Sequence, residues 1–117
     1  MMNSKIPFQL IDWDKIEKTG SKGETGTALS QTIALQGLTI RIVEYSKGYK
    51  ADHWCQKGHI VHCLEGDLTI EMENGESFEL KQGMSFVVSD DLSSHRSVTK
   101  TGAKLLITDG EFLSTLS

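Results

Sequence analysis

The chain has 117 residues, 38% apolar and 24% charged, which suits one soluble domain around one core and excludes a disordered chain. Sixteen acidic against twelve basic residues give a net charge of −4 with no basic stripe, so nucleic acid and anionic membrane are poor partners. No run approaches the roughly 18 apolar residues of a membrane helix. Residues 1–10 also lack the apolar core and cleavage site of a secretory signal, so the expected location is the cytoplasm.

Residues 1–32 show little periodicity and are expected to form an arm and a glycine-rich loop, packed on the β-structure of residues 33–117. Within the arm, residues 11–17 fit one helical turn with Asp12 or Asp14 as its cap. Residues 19–27, with Gly20, Gly23 and Gly26, read as a loop. They do not form a phosphate cradle, because no Gly-Lys-Ser/Thr closes the run and no buried strand leads into it.

From Ile33 onward, short strands alternate with turn residues. Residues 38–43 form one strand, stopped by Ser46-Lys47-Gly48. Residues 60–64 form the next, ended by a turn at Gly66-Asp67, and residues 68–72 follow with Leu68, Ile70 and Met72 on one face. Asn74-Gly75 predicts a type I′ hairpin, leading to a return strand with Phe78 and Leu80. Strands over residues 84–88 and 103–108 complete seven or eight, with no long helix and one proline. The fold class is therefore all-β, a single-domain sandwich or barrel. Ile40, Ile42, Leu68, Ile70, Phe78, Phe86 and Val88 are its expected interior. Arg41 and Glu44 fall on opposite faces of their strand, and neither receives a role.

Four side chains stand out as candidate metal ligands. His53 and Cys55 are two apart and share one face if the segment is a strand. His59 opens the strand after the Lys57-Gly58 turn, and His95 follows the loop of residues 89–94. Imidazole and thiolate are donors that borderline and soft divalent metals prefer. If His59 points inward, so do Val61 and Cys63. Cys63 then lies about 13 Å further along the strand at ~3.3 Å per residue, too deep to join, and His62 faces away. A buried thiol and ordinary core or loop histidines would explain the same residues without any ion. Trp54 faces away from the two candidates beside it, as packing or a subunit contact.

The segment from Gly48 to Gly66, with His53, Cys55 and His59, resembles the first signature of the cupin superfamily. Residues 81–95, with Gly83 and His95, are similar to its second. His53 and Cys55 occupy the two histidine positions, and His59 that of the glutamate. The wording Asp52-His53-Trp54-Cys55 further resembles a small group of DHCW-motif cupins, to which no activity is attached. The resemblance spans roughly residues 33–110 and implies a double-stranded β-helix, or jelly-roll barrel, with a metal inside.

This chain departs from the pattern in four ways. The Gly48-to-His53 spacer is one residue short, cysteine replaces a histidine, and histidine replaces the glutamate. In the second motif Ser89 stands where proline is usual, and His95 comes one residue late. Three histidines and a thiolate are softer than the usual set, so the expected cofactor is one divalent transition metal, zinc foremost, with iron, copper or nickel as alternatives. The expected function is a metalloenzyme of oxygenase or isomerase type acting on a small-molecule ligand. The alternative is a non-catalytic, metal-stabilised or ligand-binding module, favoured if four protein ligands close the shell. Cupins commonly pair through their outer sheet faces, and a surface with Trp54, Ile60, His62 and Leu64 implies a homodimer.

Overall fold

The computed structural model describes residues 5–115. Residues 1–4 and 116–117, the outer ends of the two expected segments, lie outside the described residues. Eight strands are present among those described: β1 (Thr19–Lys22), β2 (Thr27–Leu35), β3 (Leu38–Tyr45), β4 (His59–Met72), β5 (Ser77–Lys81), β6 (Ser85–Val88), β7 (His95–Val98) and β8 (Ala103–Gly110). Short 3-10 helices at Trp13–Lys15 and Glu111–Leu113 flank them, the first capped by the Asp12 carboxylate on the Asp14 amide. No helix among them is long and apolar enough to cross a membrane.

The all-β class holds, and β4 organises it. Its first half lies between β8 and β6 in a sheet ordered β1-β2-β3-β8-β4, with β6 beyond; its second half lies between β5 and β7 in the facing sheet. The expected turn at Gly66-Asp67 is instead a bend within this one strand. A register shift between Cys63 and Glu65 adds a bulge, and Gly66 takes φ of 78°, which lets the chain swing between sheets without a break. All pairings are antiparallel, so the fold needs no crossover helix.

The segment of residues 1–32, expected as an arm and a glycine-rich loop, contributes β1 and most of β2. Thr19–Lys22 pairs with β2, and β2 pairs with β3 along its full length, so the sheet starts at Thr19 rather than Ile33. The polar residues of β1 hid it: it is an edge strand exposed at all four positions and needs no apolar face. The hairpin after Met72 also differs from expectation. Glu73-Asn74-Gly75 forms a three-residue loop, with the Gly75 amide on Met72 O and Gly75 alone at positive φ (100°). This is a turn with a glycine bulge, not type I′, in which Asn74 too would need positive φ.

The core lies between the sheets. Val43, Val61, Cys63, Leu68, Ile70, Leu80, Leu105 and Ile107 are buried, with Cys63 at 0% exposure. Leu68, Ile70, Phe86 and Val88 keep their expected side, but β3 is turned over. Arg41, Val43 and Tyr45 face inward, while Ile40 and Ile42 lie on the outside. Phe78 is also 55% exposed, at the open rim of β5. The error on β3 has a physical source. Both of its faces are apolar, because outside it Ile33, Ile40, Thr108, Ile60 and Val87 stand in one cross-strand row over five strands. Period-2 patterning cannot orient such a strand.

Candidate metal centre

Three of the four expected ligands converge. Cys55, His59 and His95 each place a ligating atom within 4.8 Å of the others. Each is set there by a separate device. Cys55 and His95 exchange both backbone hydrogen bonds (Cys55 N to His95 O, 2.7 Å; His95 N to Cys55 O, 3.0 Å), an antiparallel pair whose side chains share one face. His59 enters from the opposite sheet, on β4 across from Val88 of β6.

Gly58 makes the approach to His59 possible. A Cβ at this position would meet Asp90 N at 2.5 Å, Ser89 C at 2.6 Å and Val88 O at 2.7 Å. The Asp90 carboxylate accepts the Gly58 amide at 2.6 Å, and the Asp91 amide donates to Gln56 O at 2.8 Å. The loop leading to His95 is thereby strapped to the segment joining Cys55 to His59.

The two histidines are buried, at 7% and 4% exposure, and their Nε2 atoms face each other at 2.9 Å. Phe86 stands edge-on to both rings. Ser93 Oγ lies 2.8 Å from His95 Nδ1 and fixes that ring, whereas His59 Nδ1 is buried without a partner. Burial, then His95 and Arg41, push the His59 pKa down to about 4; burial likewise lowers that of His95. Both imidazoles are therefore neutral at pH 7 and offer lone pairs to a cation instead of competing for protons. Two neutral imidazoles and a sulfur within one coordination sphere's reach suit a borderline or soft divalent ion.

His53 stands apart. Residues 51–54 do not form a strand, so the two-residue spacing to Cys55 does not align the side chains. The His53 ring is 77% exposed, and its Nδ1 sits 2.7 Å from the Asp52 carboxylate. It borders the same cavity but is not in the cluster. Cys63 lies buried elsewhere, with its thiol on Glu65 O and Gly66 O, and His62 Nδ1 meets Ser85 Oγ at 2.7 Å. Trp54 does not join the outer face of Ile60 and His62; the Arg96 guanidinium stacks 4.3 Å from its ring.

The cluster opens into a cavity of about 250 Å3 between the sheets. Its polar lining holds residues that received no role from the sequence: Arg41, Arg96, and the stacked pair Tyr45 and Tyr49, whose rings lie 4.2 Å apart and 5° from parallel. One signal was available, an arginine inside the apolar run of residues 38–43.

No family model matches the sequence, and no curated protein does either. Solved structures do match. An RmlC-like cupin from Shewanella frigidimarina aligns with a TM-score of 0.69 at 21% identity, over 93% of this chain and 94% of its own. The fold is the cupin jelly roll. A sugar phosphate isomerase from a cupin superfamily, of Silicibacter pomeroyi, gives 0.71 at 19% identity over 88% of this chain and 76% of its own. Ectoine synthase from P. lautus gives 0.72 at 16% identity over 92% and 79%. At such identities the cupin likeness is one of architecture, and the chemistry must be argued from the side chains.

Proposed function

We propose that this cupin holds one divalent transition metal, zinc foremost, on Cys55, His59 and His95, and acts as a metalloenzyme on a small molecule in the adjoining cavity. The observation that carries the reading is the convergence of those three donors at the wall of a 250 Å3 cavity while His53 stays out of the cluster, hydrogen-bonded to Asp52. Three protein ligands leave a coordination position for water or substrate, the pattern of catalytic sites; four ligands close the shell, the pattern of structural ones. When bound, the ion supplies Lewis acidity at that position. The chain's own residues shape the rest. Phe86, Val61 and Ile107 supply apolar wall, Arg41 follows them in the same cross-strand row, and the tyrosine and arginine side chains supply donors.

The alternative, a non-catalytic metal-stabilised module, draws support from His53 lining the same cavity, from which it could close the shell. Elemental analysis of protein purified without a histidine tag separates the readings. One equivalent of metal is expected in the wild type and in His53→Ala, and far less in Cys55→Ser and His59→Ala. Full metal content in the last two variants rejects the site. Metal loss in His53→Ala favours the closed module.

The Asp52-His53-Trp54-Cys55 run supports kinship with the DHCW-motif cupins. The two free thiols, Cys55 and Cys63, suit the reducing cytoplasm. The row Ile33, Ile40, Thr108, Ile60 and Val87 supports a homodimer. It carries no charge across five strands, and a two-fold axis would set it against itself.

A further inference from the structure

The cavity is one-sided in charge. Arg41 and Arg96 line it together with histidines, tyrosines and serines, and among the described residues no aspartate or glutamate does. The two arginines are not equivalent. Arg96 is committed: its Nε donates to Glu71 at 2.8 Å, and its plane lies over Trp54. Arg41 is not. Its Nη2 reaches Asp109 only at 3.5 Å, and that carboxylate is shared with Lys57 at 3.9 Å, so two cations face one anion. Arg41 Nε is buried with no hydrogen-bond partner at all. A buried guanidinium donor without an acceptor costs stability of its own, and a ligand that supplies the acceptor recovers it.

The acceptor that fits is planar and anionic. A guanidinium presents parallel donors that match the two oxygens of a carboxylate. Phosphate would fit the fork too, but its second charge calls for further cations, and the other arginine here is already neutralised by Glu71. The space is below the roughly 300–1,000 Å3 of ordinary ligand pockets, and its remaining walls include Val43, Val61, Leu105 and Ile107.

We infer that the cavity takes a small carboxylate, bound through the Arg41 guanidinium beside the Cys55–His59–His95 cluster. The inference deepens the metalloenzyme reading and rests on it for the position of the reacting group. Arg41 thus becomes a specificity residue that belongs to the cavity and not to the ion.

The test is calorimetric titration of benzoate and propionate against their neutral counterparts, benzamide and propionamide, and against inorganic phosphate. Zinc-loaded and metal-stripped wild type are compared with Arg41→Gln and Arg41→Lys, and zinc content is measured on every sample. Carboxylates should bind the wild type at least tenfold more tightly than the amides, with or without zinc. Arg41→Gln should lose that preference at unchanged zinc content, while Arg41→Lys keeps part of it. Equal binding of amides, tighter binding of phosphate, or a preference untouched by Arg41→Gln overturns the inference. If Arg41→Gln does not fold, the amide and phosphate comparisons on the wild type still decide. A wild type that takes up no zinc but prefers carboxylates through Arg41 removes the metal reading and leaves the carboxylate site standing.

Discussion

A sulfur donor beside two neutral imidazoles discriminates among cations by softness more than by size, and Cys55 is the soft member of the trio. Replacing it with serine keeps the volume and removes the thiolate. Cys55→Ser should therefore lose zinc affinity by more than the 10–100-fold that outer-shell changes cost, as read by competition with a chromophoric chelator. Tyr45, in the wall of the same cavity, offers a second test. Burial and then the neighbouring Tyr49 raise its pKa from 10 to about 12. The folded state thus keeps a proton that the unfolded chain releases, so stability is intact below pH 10 and falls as pH climbs from 10 towards 12. The loss should be on the order of 2 kcal/mol in denaturant titrations. Tyr45→Phe should abolish this step, apart from the smaller contribution of Tyr49, whose pKa burial also raises.

At the level of elements, the legible features were those with one apolar face. The alternation of Leu68, Ile70 and Met72 gave the second half of β4, and inward parity from His59 correctly grouped Val61 and Cys63. Cys55, His59 and His95, which the structure brings together, were readable because their residue types are rare and their loops short. What escaped had physical reasons. The edge strand β1 is polar throughout, and β3 is apolar on both sides. The strand parity that would align His53 with Cys55 is not obeyed by their irregular segment. In the sequence Gly58 signals only a turn, yet the backbone at residues 88–90 leaves no room for a Cβ there. Gly58→Ala should cost about 1–3 kcal/mol by overpacking, and by moving His59 it should also lower zinc content. Unchanged melting and metal content would contradict that role.

For the whole molecule, the proposed homodimer rests on the outer row of five residues. Ile60 on β4 and Val87 on the edge strand β6 are 38% and 67% exposed there. Light scattering behind size exclusion should give twice 13.0 kDa for the wild type. Val87→Glu should shift it to the single-chain mass, since pairing would bury its charge against an uncharged row. A wild type eluting as a single chain rejects the pairing.

The strand that crosses both sheets also sets the sequence in which the molecule opens. β4 is hydrogen-bonded to β5, β6, β7 and β8, so neither sheet can peel away without breaking it. Its amides should exchange with deuterium last, in one concerted event. Cys55, by contrast, sits on an irregular stretch held to β7 by its own bridge with His95 and by the Ala51 amide on Ser97 O. An ion held between these two would escape by the unlatching of residues 51–58, with His59 still fixed on its strand. Zinc should accordingly slow exchange in that latch and leave the spine unchanged.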